Sequence, residues 1–589
     1  EAVMKNKYDI STCITIGYKK EDNISNFAEY LMELDDDKQY FYFYFEYSGD
    51  IRKFAEDLEE NKEFFGSTNL LEHYIKTFKS SYYYCDSKFE LKYDIKKHEF
   101  QRLCNFKFIR ANKKLSDEKL DKKYSIANSI ITLLEYNESW KDTLEEVETR
   151  IKNLFQNSSD NNDLEKTINE QINENSLNAL RELLEELQKI NGNVKEVLWL
   201  NLNIDREVIK KLLEMVMAAQ YKIDEFYFDE NIQGLGYSNL IFLHLNIEEF
   251  KRKQEADKLN LLIIEEPEVH MHPQMQRAFM DQFNKHFIKD IQGIFTTHSP
   301  EIVKISNIEH IRVIRKEERV NKSKIYDLNK FSSKDENDKS RFSELLFNIN
   351  LSELIFADRA ILYEGDTERM YLQALIDLPL RITDGKEKDV GKFSKLKSMY
   401  IAYIQVGGAY VQKYKEILEY LKIKSVFFTD IDYKKCYLKV EDIKNSDTTN
   451  SAIREFSNLK LVDDIYQWRE EKKNIIEELF LVQFQDEKDG YARTLEEAMI
   501  LKLYPDEKID FEQEKKDWAT KFKELSLSVS LPAKSGEIKI NDDNKLNLRD
   551  IIDRTGFKKT NFMYSVIENN YQLKMLPNYI EEGLEWLME

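Results

Sequence analysis

A chain of 589 residues, 42% hydrophobic and 33% charged, is long enough for more than one core, and two to four domains are expected. Its formal net charge of −21 argues against coating nucleic acid by bulk attraction, while leaving room for a local basic groove. Cys13, Cys85, Cys104 and Cys436 are scattered without a CxxC pair, no apolar run is long enough to cross a bilayer, and the start carries no signal-peptide pattern. These features point away from a disulfide scaffold, a zinc module and a membrane protein, and towards a reducing, cytoplasmic setting.

Residues 1–115 mix short β-like runs ("FYFYFEY", "FKFIRA") with helical patches. From 116 to 200 the pattern is helical, with Leu180, Leu183, Leu184, Leu187 and Ile190 on one face and "NSSDNND" at 157–163 as a turn. Such a charged hairpin reads either as a projecting arm or dimer seam, or as an amphipathic pair packed on its own domain. Strand-like runs return at "LNLLIIEEPE" (259–268) and "GIFTTHSPE" (293–301), with a helical segment between them, which suggests parallel β/α units. A second βαβαβ series starts at Arg359: "RAILYE", "DTERMYLQALI", "YIQVGG", "YVQKYKEILEYL" and "KSVFFTD".

Two constellations carry chemistry. In the first, Gly234 and Gly236 precede an apolar helix, where bare backbone amides can meet phosphate. Glu265 and Glu266 then end an apolar strand, and Thr297, His298 and Ser299 end the next. Phosphoryl chemistry wants one carboxylate on the water shell of Mg²⁺, a second to polarise the attacking water, and a group that senses the γ-phosphate. Taken singly, an acid pair after a strand is most often solvated surface, and a strand-end histidine is most often structural. No G-x-x-x-x-G-K-[ST] loop is present, and the first residue is Glu1 rather than methionine. The expectation is a chain whose phosphate loop lies upstream; the rival is a degenerate ATPase. His270 and His272 form an HxH pair without a third ligand nearby, so a zinc reading is set aside.

In the second constellation, Ile361, Leu362 and Tyr363 close a strand and Glu364 follows, with Glu368 four residues on. Asp430 and Asp432 end "SVFFTDID", where period-2 spacing is expected to point both the same way. Ligands gather at the carboxyl ends of parallel strands, and four hard oxygen donors in one crevice suit Mg²⁺ or Mn²⁺. The bland reading of each acid alone is a solvated strand end.

In their order, the first strings resemble the signature, Walker B and switch-histidine series of ABC-type ATPases, with wording similar to the OLD (overcoming lysogenization defect) nuclease family. The E-G-D-T-E and D-x-D strings with a G-G turn between them resemble the Toprim fold of topoisomerases, primases and OLD-family nucleases. The resemblance implies an α/β chain: an ABC-type ATPase head in two parts (1–115 and 201–345), a helical dimerisation insert (116–200), and a Toprim nuclease domain with a helical C-terminal extension (346–589). It also implies that "YARTLEEAM" places Thr494 and Glu496 at a second metal. It assigns Lys559 in "RTGFKKTNFMYSV" as the catalytic lysine, with Lys558 the near alternative, and puts Lys434 and Lys435 beside DNA phosphate. The function implied is an ATP-regulated endonuclease in bacterial anti-phage defence, with a two-metal Mg²⁺ or Mn²⁺ site and ATP with Mg²⁺. Its partners would be DNA, further copies of the chain in a homodimer or homotetramer, and a helicase-like protein. The alternative is an ATP-dependent DNA clamp or repair scaffold with a non-catalytic Toprim domain.

Overall fold

The computed structural model describes residues 10–32, 39–60, 70–111, 126–156, 168–179, 181, 206–217, 219–223, 225–229, 234–287, 289–316, 322–332, 352–377, 392–407, 410–433, 439–503, 530–533, 536–539 and 559–589. The chain divides into two compact units, 1–302 and 303–589. Among the described residues no helix is long and apolar enough to cross a membrane.

In the first unit β1 (Ile10–Gly17), β2 (Tyr40–Gly49), β3 (Phe78–Cys85) and β4 (Lys92–Asp94) form an antiparallel meander in that order. Alternation along "FYFYF" drives Phe41 and Phe43 into a core with Phe27, Ile95 and Leu103. A second, parallel sheet has the order β5 (Cys104–Ile109), β6 (Leu259–Glu265), β7 (Gly293–Thr296). Between β5 and β6 the described residues are mainly helical: α1 (Ile126–Leu134), α2 (Glu138–Gln156), α3 (Ile168–Ala179), α4 (Arg206–Val216) and α5 (Leu235–Arg252). The leucine stripe from Leu180 to Ile190 and the turn at 157–163 lie outside the described residues. Helix α6 (Pro273–His286) is the crossover from β6 to β7.

The second unit is built on β8 (Arg359–Tyr363), β9 (Ile401–Gln405), β10 (Lys424–Phe428), β11 (Ile475–Ile476) and β12 (Phe480–Gln483), in the order 9-8-10-12-11. All pairings are parallel except β11 with β12. Helices α7 (Asp366–Asp377) and α8 (Val411–Tyr420) are the crossovers, and α9 (Ser451–Ser457), α10 (Leu495–Leu501), α11 (Lys559–Glu568) and α12 (Asn578–Met588) surround the sheet. The central strands are covered on both faces, so they read as unbroken apolar runs rather than alternating ones. Ala360, Ile361, Leu362, Val426 and Phe427 are all fully buried. This order sets the carboxyl ends of β8 and β10 side by side at the middle of the sheet.

Helix α12 closes over the sheet through Gly583, where a Cβ would stand 2.5 Å from the Phe428 ring and 3.2 Å from Gln483 Cγ. Its first turn is capped from a distance: Asp489 Oδ1 accepts from Asn578 N–H at 2.6 Å and Oδ2 from Tyr579 N–H at 3.2 Å. Burial of Asp489 (2% exposed) raises its carboxyl to about 6; the charge of Asp486 adds to the rise, while Arg469 and the Asn578 N–H oppose it.

Two outcomes follow for stability. Gly583→Ala gains about 1 kcal/mol of helix propensity, but overpacking against the immobile Phe428 ring costs about 1–3 kcal/mol and outweighs that gain, so the melting temperature should fall. Because the folded pKa of Asp489 is raised, its contribution is full below the unfolded value of about 3.9 and is lost as pH rises to about 6. Relative to Asp489→Asn, the wild type should therefore gain about 2 kcal/mol between pH 7 and pH 4, read from denaturant midpoints.

Candidate functional site

The acids of the second unit leave their elements by different routes. Glu364 follows β8 directly, and its Oε1 accepts from Thr429 Oγ1 and, at 3.3 Å, from Asn450 Nδ2. Asp430 lies two residues past β10, with Gln485 Nε2 donating to its Oδ1 at 2.6 Å. Glu368 sits in the first turn of α7, where Thr367 Oγ1 stands 3.3 Å from Glu368 Oε2 and 3.4 Å from Glu496 Oε1. Glu496, 3% exposed in the first turn of α10, pairs through Oε2 with Lys559 Nζ at 2.9 Å. Lys559 opens α11, which packs against α7. Thr494 is the N-cap of α10, its Oγ1 accepting from Glu497 N–H at 3.4 Å.

One expectation is corrected. Strand β10 ends at Phe428, and Asp432 adopts φ 37°, so extended alternation is not what orients Asp430 and Asp432. A left-handed turn does so, held by Thr448 Oγ1 and Thr449 N–H donating to the Asp432 carbonyl. Lys434, Lys435 and Lys558 lie outside the described residues.

Electrostatics tie these groups into one cluster. Burial raises the carboxyls of Glu364, Glu368, Asp430 and Asp432, and repulsion adds to it: Asp432 acts on Glu364, Glu496 on Glu368 and Asp432, and Glu368 first, then Asp432 and Glu496, on Asp430. The Lys559 charge opposes the rise at all four. Burial disfavours that ammonium, yet Glu496, Asp430 and Glu368 outweigh it and hold Lys559 above the usual lysine range. As the side chains stand, no three His, Cys, Asp or Glu among the described residues are set to hold one metal ion.

Sequence reasoning missed Thr429, Asn450 and Gln485, which touch the acids directly. No sequence pattern marked the two amides: Gln485 follows "FLVQF", which already contains another buried glutamine, Gln483.

In the first unit Glu265 ends β6 and its Oε2 accepts from Ala111 N–H at 3.2 Å. Glu266, at φ 42°, donates its N–H to Thr296 O at 3.0 Å, and its Oε1 lies 3.6 Å from His298 Nε2. Glu268 locks the two loops together: its Oε1 accepts from Thr297 Oγ1 at 2.8 Å and from His298 N–H at 2.7 Å. Gly236 lies against this loop, and a Cβ there would collide with the His270 carbonyl oxygen, so close packing by itself demands glycine. Gly234, the exposed N-cap of α5, has open space around it. Asn239 Nδ2 donates to Val269 O at 2.8 Å, and His272 Nδ1 caps α6 by accepting from Gln274 N–H.

Comparison with known proteins adds two family matches. The AAA ATPase domain matches residues 2–303, and the overcoming lysogenization defect protein-like TOPRIM domain matches residues 355–432. The second span contains Glu364, Glu368, Asp430 and Asp432. Among curated proteins the chain is 26% identical over 483 residues to endonuclease GajA of Bacillus cereus strain HuB5-5, covering 75% of this chain and 65% of that protein. It is 32% identical over 158 residues to an OLD nuclease of Thermus scotoductus, covering 26% of this chain and 29% of that one. The chain thus spans just under two thirds of the first relative and under a third of the second.

A Toprim domain implies a divalent metal site, and the donor set fits one: Glu364, Glu368, Asp430, Asp432 and Glu496 are hard oxygen donors that outnumber the ammonium of Lys559. Lys559→Met should leave Glu496 buried without its cation and, because the lysine is 37% exposed and partly screened, destabilise the unit by about 1–3 kcal/mol. Added Mg²⁺ should then raise the melting temperature of this variant more than that of the wild type, as measured by circular dichroism.

Proposed function

Because the chain belongs to the AAA ATPase domain family and carries an OLD-like Toprim domain, we propose that it is an ATP-regulated, metal-dependent DNA endonuclease. The observation that carries this reading is the gathering of acids from separate strand and helix ends around Lys559. Divalent cations of the Mg²⁺ or Mn²⁺ kind, held by Glu364, Asp430 and Asp432 on one side and by Glu368, Glu496 and Thr494 on the other, would supply Lewis acidity to the water and the scissile phosphate. Lys559 contributes an ammonium that offsets charge building on that phosphate as the bond breaks. Its pairing with Glu496 holds its Nζ at the cluster although the side chain stays 37% exposed. Thr367 Oγ1 stands between Glu368 and Glu496 and can donate its one proton to either carboxylate.

In the first unit Glu265 is assigned to the water shell of an ATP-bound Mg²⁺, Glu266 to the attacking water, and His298 beside it to sensing the γ-phosphate. Gly234 offers a free backbone approach at the start of α5. ATPase heads of the ABC type act in pairs, so a homodimer or homotetramer is expected, with the insert that carries α1, α2 and α3 as the seam. The resemblance of its motifs to the OLD family further suggests a role in bacterial anti-phage defence beside a helicase-like protein.

The test is incubation of supercoiled and linear DNA with Mg²⁺ or Mn²⁺, with and without ATP. Glu364→Ala should lower cleavage by roughly two to three orders of magnitude, whereas Glu266→Gln should change only its response to ATP. Full Mg²⁺-dependent nicking by Glu364→Ala would refute the assignment, and no cleavage by the wild type would favour a DNA clamp instead.

A further inference from the structure

Two buried side-chain amides stand behind the acids of the second unit. Gln485, fully buried two residues past β12, uses both ends of its amide on the exit of β10. Its Oε1 accepts from Ile431 N–H at 2.9 Å while its Nε2 donates to Asp430 Oδ1 at 2.6 Å. Asn450, 8% exposed, caps α9 by accepting from Ile453 N–H at 3.0 Å. Its Nδ2 reaches Thr429 Oγ1 at 2.6 Å, Asp430 O at 2.8 Å and Glu364 Oε1 at 3.3 Å.

The two contacts that reach a carboxylate, Gln485 to Asp430 and Asn450 to Glu364, each engage only one of its oxygens. Among the described residues, Glu364 Oε2 and Asp430 Oδ2 receive no hydrogen bond. The chemistry of the donors matters here. A lysine or arginine in either place would pin the carboxylate but also neutralise it, and would compete with any incoming cation. An amide pins it and leaves its charge intact. A buried glutamine is also expensive to keep unless both ends are satisfied, and Gln485 has both satisfied by the one loop that carries Asp430.

We propose that Gln485 and Asn450 are positioning residues, which hold one oxygen of Asp430 and of Glu364 on the protein and leave the other for a divalent cation. Gln485 ties the Asp430 carboxylate to the adjacent Ile431 backbone, so backbone and side chain of the loop are aimed as one body. Asn450 does the same for Glu364 from the start of α9, linking it to Thr429 and to the Asp430 carbonyl. Outer partners of this kind typically contribute 10–100-fold to metal affinity. The inference rests on the nuclease reading of the same acids.

The experiment is Mn²⁺ titration of the full chain without DNA, followed by calorimetry and by loss of the free-Mn²⁺ paramagnetic resonance signal. It compares wild type, Asp430→Ala, Gln485→Met and Asn450→Ser. Both positioning variants are neutral, so any change in affinity does not come from altered charge. Gln485→Met keeps the volume, and Asn450→Ser keeps a helix cap but is too short to reach Glu364. Each is expected to weaken Mn²⁺ binding by about 10-fold or more, at temperatures where circular dichroism shows the variant folded. Affinities within twofold of wild type for both, with Asp430→Ala impaired, would overturn the positioning role and leave the nuclease reading standing. Equal binding by wild type and Asp430→Ala, or none by either, would overturn both.

Discussion

Like charges brought out of water repel, and the second unit is arranged around that problem. Four of its acids follow or sit just beyond the carboxyl ends of β8 and β10, and Glu496 joins them from α10. The framework beneath is rigid enough to hold them there: Ala360, Ile361, Leu362, Val426 and Phe427 are sealed between helix layers. Lys559, contributed from late in the chain, is the counter-charge that makes the arrangement tolerable. With Glu496 buried and the Lys559 side chain 37% exposed, such a pair is a weak source of net stability, but removing the lysine leaves a buried carboxylate without its counter-charge. Its value lies in keeping several carboxylates ionisable within one crevice.

The two units solve the problem of aiming a strand-end acid in a similar way. Glu266 leaves β6 at φ 42° and Asp432 follows β10 at φ 37°, both in the left-handed region that non-glycine residues seldom occupy. Such a conformation costs on the order of 1–3 kcal/mol and persists only where neighbours over-determine it. For Glu266 the neighbour is Thr296, which takes its N–H with both the carbonyl and the hydroxyl oxygen. For Asp432 it is the Thr448–Thr449 pair gripping the carbonyl.

The elements themselves were legible in the chain. Unbroken apolar runs such as "RAILY" and "SVFF" announce strands covered on both faces, and the helices between them follow from period and length, so the parallel order could be anticipated from Arg359 onward. The acids were legible as well, because an apolar run that meets Glu364 or Asp430 changes character abruptly. The amides were not. Asn450 and Gln485 stand 20 and 55 positions from Asp430, and glutamine and asparagine carry no pattern that distinguishes a carboxylate clamp from a solvated loop. Gly236 was read as a phosphate contact, yet the carbonyl of His270 already demands its bare Cα.

Residue type and order therefore determined which side chains carry charge, which strands must be buried, and that acids such as Glu364 and Asp430 follow apolar strands, since these depend on composition and short-range period. Only the tertiary structure decided which oxygen of each acid is tied to the protein, that Lys559 faces Glu496, and that a left-handed turn rather than extended alternation sets Asp432. The physical reason is range: hydrophobic periodicity is local, whereas a hydrogen bond to a buried carboxylate can come from any segment that the sheet brings within about 3 Å.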